Sequence, residues 1–359
     1  MSPYPAFGIC GYSGSGKTTL IESLVRRFRL RGLNVGVIKQ DAHGLDIDRE
    51  GKDTDRIFKA GADVLIRDSK QLFARIHRHA DVPLPDLIRQ VGPRYDLILV
   101  EGHKTTPLPC KIWLCKADEA TCPPEAVGIR RTLLWTEDRE RIALDMLDDW
   151  LPEVWRAVPV YCGILIGGGS TRMGRPKHLI PEHGETWLHK TVAVMRNHAD
   201  KVVLLGHGEI PADLRSLPVL PDVPDAEGPL RGMRAAMRWA PLASWLFVPC
   251  DLPMASSEAV RWLLGHRHPG IWAILPRLPS SPRPEPLLAY YDFRAAAQLE
   301  TVHCPSGYST NEKTATPVVP VALTDAWKNI NTPEDLIALH PIVVDGRFER
   351  QTRNRRTIK

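Results

Sequence analysis

Apolar residues in the first 155 positions fall into short unbroken runs separated by stretches with helical spacing. The run at Ala6–Cys10 predicts a buried strand. Residues 18–30 place Leu20, Ile21, Leu24, Val25 and Phe28 on one helical face; Gly32 ends that helix, and 35–38 predicts the next strand. Residues 97–100 and 112–114 predict two more strands. Short apolar strands alternating with helices imply an α/β fold with a mostly parallel sheet covered on both faces. Residues 140–155 predict a closing helix, with Leu144, Leu147, Leu151 and Trp155 on one side and Pro152 as a bend or break.

Pro159 marks a boundary, and the alternation restarts. A strand at 160–166 runs into a glycine loop. A helix at Trp187–Arg196, strands at 202–205 and 245–248, and a helix at 258–266 follow. A fresh strand and loop predict a second α/β domain, and a length of 359 residues agrees with two. The expected limits are 1–156 and 159–341, followed by a basic tail at 342–359 that is expected to be mobile. The two glycine loops are not copies of each other.

The net charge is +5, but residues 347–359 hold six Arg or Lys against one Glu and account for all of it. The remaining body is near neutral, which argues against a nucleic-acid-binding surface. No run of about 18 apolar residues exists, so no membrane span is expected. The N-terminus lacks a basic segment and cleavage site, and the seven scattered cysteines suit reduced thiols. A cytoplasmic protein is the expectation.

Gly11-Tyr12-Ser13-Gly14-Ser15-Gly16-Lys17-Thr18 fits the phosphate-loop pattern in full, between a predicted strand and a predicted helix. Glycines let backbone N–H groups converge on phosphate oxygens. Lys17 reaches the β and γ phosphates, and Thr18 can hold Mg²⁺. Gly11, Gly14, Ser15, Gly16, Lys17 and Thr18 are therefore candidate nucleotide-binding residues. Glu101, at the end of a buried strand, is the candidate acid on the metal side. The polar run 48–56, behind Lys39 and His43, reads as a solvated loop.

The phosphate loop, Ile38-Lys39, Gly51-Lys52-Asp53-Thr54 with Ala60-Gly61-Ala62, and Leu99-Val100-Glu101-Gly102-His103-Lys104 together resemble the MobB family. Its members are P-loop GTP-binding adaptors of molybdopterin-guanine dinucleotide biosynthesis. The resemblance covers about residues 5–155 and implies a P-loop NTPase-like three-layer domain. Gln40 stands where that family usually has histidine. Cys115-Lys116-Ala117-Asp118 is similar to the guanine-reading tetrapeptide of GTPases, with Cys in place of Asn. Cys110, Cys115 and Cys122 lie close in sequence, but no fourth zinc ligand is evident.

In the second half, Ile166-Gly167-Gly168-Gly169-Ser170-Thr171-Arg172-Met173-Gly174-Arg175-Pro176-Lys177 combines small residues, which permit close approach to phosphates, with fixed positive charge. Leu220-Pro221-Asp222 precedes Gly228-Pro229-Leu230-Arg231-Gly232, where Pro229 starts a helix. Pro249-Cys250-Asp251 ends an apolar strand, where open α/β sheets bind ligands. Asn329-Ile330-Asn331-Thr332-Pro333-Glu334-Asp335 opens a short helix.

In this order and spacing, these segments resemble the MobA family of molybdenum cofactor guanylyltransferases over about residues 160–340. The resemblance implies a Rossmann-like nucleotidyltransferase domain. It also implies transfer of GMP from GTP to the phosphate of molybdenum-molybdopterin, with Mg²⁺ and release of pyrophosphate. Gly167, Gly168, Ser170, Arg172 and Lys177 would hold phosphates, Asp222 would serve the nucleotide, and Asp251 with Asn331 would hold the metal. Arg172, Lys177 and Asp251 are the candidate catalytic residues. Expected partners are GTP, the molybdopterin cofactor, the molybdopterin-inserting enzyme and apo-molybdoenzymes, without membrane or nucleic acid. A homodimer through the N-terminal domain is among the assemblies it allows.

Ile166 stands where alanine is usual, and Glu285 where glutamine or another neutral residue is common. Three alternatives stay open: a cytidylyltransferase for the same pterin, a sugar nucleotidyltransferase, or a GTP-binding chaperone of the cofactor without transferase activity.

Overall fold

Unbroken apolar runs become the central strands of two separate sheets. The structure is a computed structural model that describes residues 4–40, 50–77, 82–167 and 175–339. The chain divides into two compact units, Met1–Ala157 and Val158–Lys359.

The sheet of the first unit has the order Val35–Lys39, Leu97–Glu101, Ala6–Cys10, Cys110–Leu114, Arg131–Leu133. All four pairings are parallel. Its three middle strands are buried at every position, which is why they read as continuous apolar runs rather than alternating ones. Helix Lys17–Leu30 buries Leu20, Ile21, Leu24 and Phe28 and packs against helix Arg139–Arg156. Pro152 lies inside the latter helix without dividing it.

Two features of this unit differ from the sequence expectation. The polar run at 48–56, read as a solvated loop, is helical from Asp53 onward, in Asp53–Lys59. A separate antiparallel pair, Val64–Arg67 with Leu72–Arg75, was not foreseen. Asp55 explains both. Its buried carboxylate accepts from Gly51 N at 2.9 Å and Arg75 Nη1 at 3.1 Å, and pairs with Lys59 Nζ at 2.9 Å. The Gly51 amide and the Lys59 ammonium beside it hold its carboxyl at about 2.

The second unit has a seven-stranded mixed sheet in the order Val219–Leu220, Lys201–Leu205, Val160–Leu165, Ser244–Pro249, Ala289–Tyr291, Ala273–Ile274, Thr314–Ala315. The first four strands are parallel. The fifth runs against the fourth and against the sixth, and the last pair is parallel again. Cys162, Ile164, Leu204, Leu246 and Val248 form the centre of its core; truncating a fully buried Leu there would cost about 2–5 kcal/mol. Helix Trp187–Arg196 starts in a capping box made by Thr186 and His189, and Ser256 caps helix Ser257–Leu264. Gly228, at φ 53, turns the chain into helix Pro229–Trp239. Among the described residues no helix is long and apolar enough to cross a membrane.

Candidate functional site

In the first unit, strand Ala6–Cys10 ends in the loop Gly11–Lys17. A Cβ on Gly11 would lie 2.6 Å from Leu114 O, and Gly14 and Gly16 have φ of 77° and 87°. Only glycine suits all three positions. Helix Lys17–Leu30 carries no acidic residue in its first turn, so its positive end faces the loop uncompensated. Lys17 Nζ donates to Tyr12 O at 2.9 Å across that loop. Thr18 Oγ1 donates to Glu101 Oε1 at 3.4 Å, so the two metal-side candidates meet although 83 positions separate them. Ser15 Oγ is buried without a hydrogen-bond partner among the described residues.

Two residues that the sequence did not single out hold this site. Arg139 donates from Nη1 to Ser15 O at 2.9 Å and from Nε to Leu134 O at 2.8 Å, and Nη2 reaches Cys115 O. It thereby ties the phosphate loop to the segment that carries Lys116 and Asp118. Lys111 is fully buried, and its Nζ donates to His103 O, Lys104 O and Thr106 O at 3.0, 2.8 and 3.0 Å. It fixes the turn after Glu101, where His103 has φ 53. No carboxylate takes part in these three bonds, and burial lowers the Lys111 pKa. Lys104 and Lys116 place their ammonium groups 5.6 and 5.9 Å from the Tyr12 ring centre. Cys110 and Cys115 are buried in the core.

In the second unit, Lys177 Nζ donates to Asp251 Oδ2 at 3.0 Å and to Asn331 Oδ1 at 2.7 Å. Three sequence candidates, 154 positions apart at the extremes, therefore meet at the carboxyl edge of the sheet. The backbone fixes them. Cys250 N donates to Leu165 O at 3.1 Å, and Ile330 N donates to Asp251 O at 3.0 Å. Asp335 Oδ2 accepts from Asn331 N and Thr332 N, both at 2.9 Å, and these bonds keep its carboxyl below the usual range. Burial, with Asp251 beside it, pushes the Cys250 thiol up to about 12, so it stays protonated and unreactive near neutrality.

Gly167 and Asp222 meet a little further along the same edge. A Cβ built on Gly167 would lie 3.7 Å from Asp222 Oδ2, and one on Gly206 would lie 3.0 Å from Gly167 N. A Cβ on Gly232 would lie 3.6 Å from Asp222 Oδ1. Gly206 and Gly232 thus complete a cradle that the motifs reveal only in part; a glycine just past the strand at 201–205 was the available signal. Gly168, Ser170 and Arg172, as well as His43 and the tail at 342–359, lie outside the described residues.

Asp251 Oδ1 is buried and has no hydrogen-bond partner among the described residues. A buried carboxylate oxygen left open beside a lysine and an amide oxygen suits a hard cation such as Mg²⁺, which takes one or two protein oxygens and fills its shell with phosphates and water. Among the described residues no group of three or more His, Cys, Asp or Glu gathers as a ready-made metal cage.

The geometry is that of a P-loop domain followed by a Rossmann-like nucleotidyltransferase. The first unit matches the family model of Molybdopterin guanine dinucleotide synthesis protein B over residues 6–128, and the second matches the MobA-like NTP transferase domain over residues 162–309. The Molybdopterin-guanine dinucleotide biosynthesis adapter protein of Haemophilus influenzae is 35% identical over 164 residues, covering 41% of this chain and 89% of that protein. The probable molybdenum cofactor guanylyltransferase of Bacillus cereus is 32% identical over 145 residues, covering 39% of this chain and 72% of that protein. Molybdopterin-guanine dinucleotide biosynthesis protein A from Archaeoglobus fulgidus superposes with a TM-score of 0.39 at 25% identity, over 50% of this chain and 95% of that one. The chain belongs to both families: its first half to that of Molybdopterin guanine dinucleotide synthesis protein B, its second to the MobA-like NTP transferases.

Proposed function

We propose that the second unit, within residues 159–341, transfers GMP from GTP to the terminal phosphate of molybdenum-molybdopterin. The first unit, within 1–156, binds GTP and assists as an adaptor. The observation that carries this reading is the Lys177 ammonium held between Asp251 and Asn331 at the carboxyl edge of the sheet.

The chemistry asks for charge control rather than for a nucleophile. An oxygen of the acceptor phosphate forms a bond to the α-phosphorus of GTP. The bond from that phosphorus to the β-phosphate oxygen breaks, and pyrophosphate leaves with the electron pair. The acceptor is already an anion, so no general base is needed. Lys177 offsets the charge that gathers on the phosphates, and its two partners fix the direction of its N–H bonds. Arg172 would add a second positive charge, with Gly167, Gly168 and Ser170 admitting the phosphates closely and Asp222 meeting the nucleoside. Asp251 and Asn331 would hold Mg²⁺, which supplies Lewis-acid stabilisation of the phosphate oxygens when bound. In the first unit, Gly11, Gly14, Ser15, Gly16 and Lys17 would cradle the GTP phosphates, with Thr18 and Glu101 on the metal side.

The test is to incubate the protein with Mg²⁺, molybdenum-molybdopterin and equal GTP and CTP, then identify the dinucleotide by mass spectrometry. A guanine dinucleotide that disappears in Lys177→Ala is the expected result. A cytosine dinucleotide would keep the chemistry and overturn the base assignment. No dinucleotide, with the acceptor intact, would favour a carrier of the cofactor without transferase activity.

A further inference from the structure

Strand Ala289–Tyr291 enters the second sheet against the direction of Ser244–Pro249, with Ala289 opposite Phe247. Residues just before Ala289 therefore sit at the edge where the chain leaves toward Asp251. Glu285 N donates to Pro276 O at 2.7 Å, and Arg277 bridges Pro284. Residues 276–277 and 284–285 thus form a short ribbon beyond that edge. Leu288, fully buried, has φ 48, a backbone conformation that a branched side chain adopts only when its surroundings impose it.

Those surroundings connect the ribbon to the reacting centre. Leu288 O accepts from Trp327 Nε1 at 3.2 Å, and Tyr291 OH donates to Pro286 O at 2.9 Å. Three residues beyond Trp327, Ile330 N holds Asp251 O, and next to it Asn331 holds Lys177. One segment, 327–331, secures both.

Glu285 is half-buried on this ribbon, and no hydrogen bond or ion pair to its carboxylate occurs among the described residues. Burial alone pushes its carboxyl above the ordinary range. A partly desolvated carboxylate without a partner is unfavourable unless a ligand brings donors. Phosphates bring negative charge and acceptors, so they cannot be its ligand. A 2-amino-4-oxopyrimidine edge can, because its ring N–H and exocyclic NH₂ lie side by side and match two carboxylate oxygens.

Under the transfer reaction proposed above, two reactants carry that edge: the guanine of GTP and the pterin of the acceptor. Position separates them. Gly167, Gly206 and Asp222 cluster at the carboxyl ends of Val160–Leu165 and its neighbours on one side. The strand that follows Glu285 is on the other side of Ser244–Pro249, with Asp251 between the two flanks. We propose that Glu285 is a specificity residue that binds the 2-amino-4-oxopyrimidine edge of the pterin acceptor, an inference that rests on that reading of the acceptor.

Two measurements on the full chain test it. In the first, quenching of 6-hydroxymethylpterin fluorescence reads binding directly. Glu285→Ala should weaken binding by about tenfold or more, the range of a lost charged hydrogen bond. Glu285→Gln, which keeps the shape and one acceptor, should weaken it less, and guanosine should not compete. In the second, steady-state transfer to molybdenum-molybdopterin should show the KM for the acceptor rising about tenfold in Glu285→Ala while the KM for GTP stays constant. A rise in the KM for GTP instead, or no change in either, would overturn the inference, as would a wild-type protein that does not bind the pterin. If the wild type makes no dinucleotide yet binds pterin through Glu285, the transfer reaction falls and the pterin site stands.

Discussion

The phosphate loop of the first unit is shaped by backbone, whereas the polar centre of the second is shaped by side chains. In the first, glycines at 11, 14 and 16 bend the chain, Arg139 grips the Ser15 carbonyl, and Lys17 rests on the Tyr12 carbonyl of its own loop. In the second, Lys177 is held by a carboxylate and an amide brought from two distant segments. A backbone cradle binds phosphates without regard to which bond is breaking. A lysine fixed by two partners is preorganised toward one place, as stabilisation of a developing charge requires. Under the proposed function, the first arrangement suits holding a nucleotide and the second suits a reaction centre.

The largest effect should come from Lys177→Ala. Loss of one fixed cation at the reacting phosphates should slow dinucleotide formation by about 10²–10³-fold, measured as kcat under saturating GTP. Lys111→Met should act on the other side of the contrast. It leaves three buried carbonyls without a donor and should destabilise the first unit by about 3 kcal/mol in urea titrations. Arg139→Ala should be milder and local, weakening GTP binding by the first unit by about tenfold in calorimetry. Were Arg139→Ala to slow transfer as much as Lys177→Ala, the two sites would act as one machine.

The smallest effect is expected at Asp55. Its folded pKa is held low, at about 2, so the stability it contributes is complete above the ordinary carboxylate range and is lost as pH falls toward 2. The antiparallel pair it anchors should therefore lose amide protection, measured against intrinsic exchange rates at each pH, on acidification before the five-stranded sheet does. Equal loss from both at the same pH would remove Asp55 as the cause.

Contiguity decided what the sequence could reveal. The phosphate loop occupies eight adjacent residues between an apolar strand and an amphipathic helix, so its geometry is local and legible. Asp251 was legible for the same reason, as an acid just past a buried strand. Asn331 was reached only through a resemblance, because its partner Lys177 lies 154 positions away. Arg139 left no local signal, since its bond to Ser15 spans 124 positions. The last two strands in the order of the second sheet, Ala273–Ile274 and Thr314–Ala315, have two residues each, too few to show any period. The helix Asp53–Lys59 was missed because polar contacts around buried Asp55, rather than an apolar face, hold it in place.

The buried lysine of the first sheet has one more consequence. Lys111 is enclosed by the strand that carries it and by the turn it clamps, so an amine-reactive reagent can reach it only after the turn at 103–106 or strand Cys110–Leu114 opens. Its acetylation is then a clock for opening of the first unit, readable peptide by peptide in a mass spectrum. Exposed lysines such as Lys59 would be modified at once, while the lag before Lys111 reacts would measure how often the structure around it opens under conditions where the chain is otherwise native.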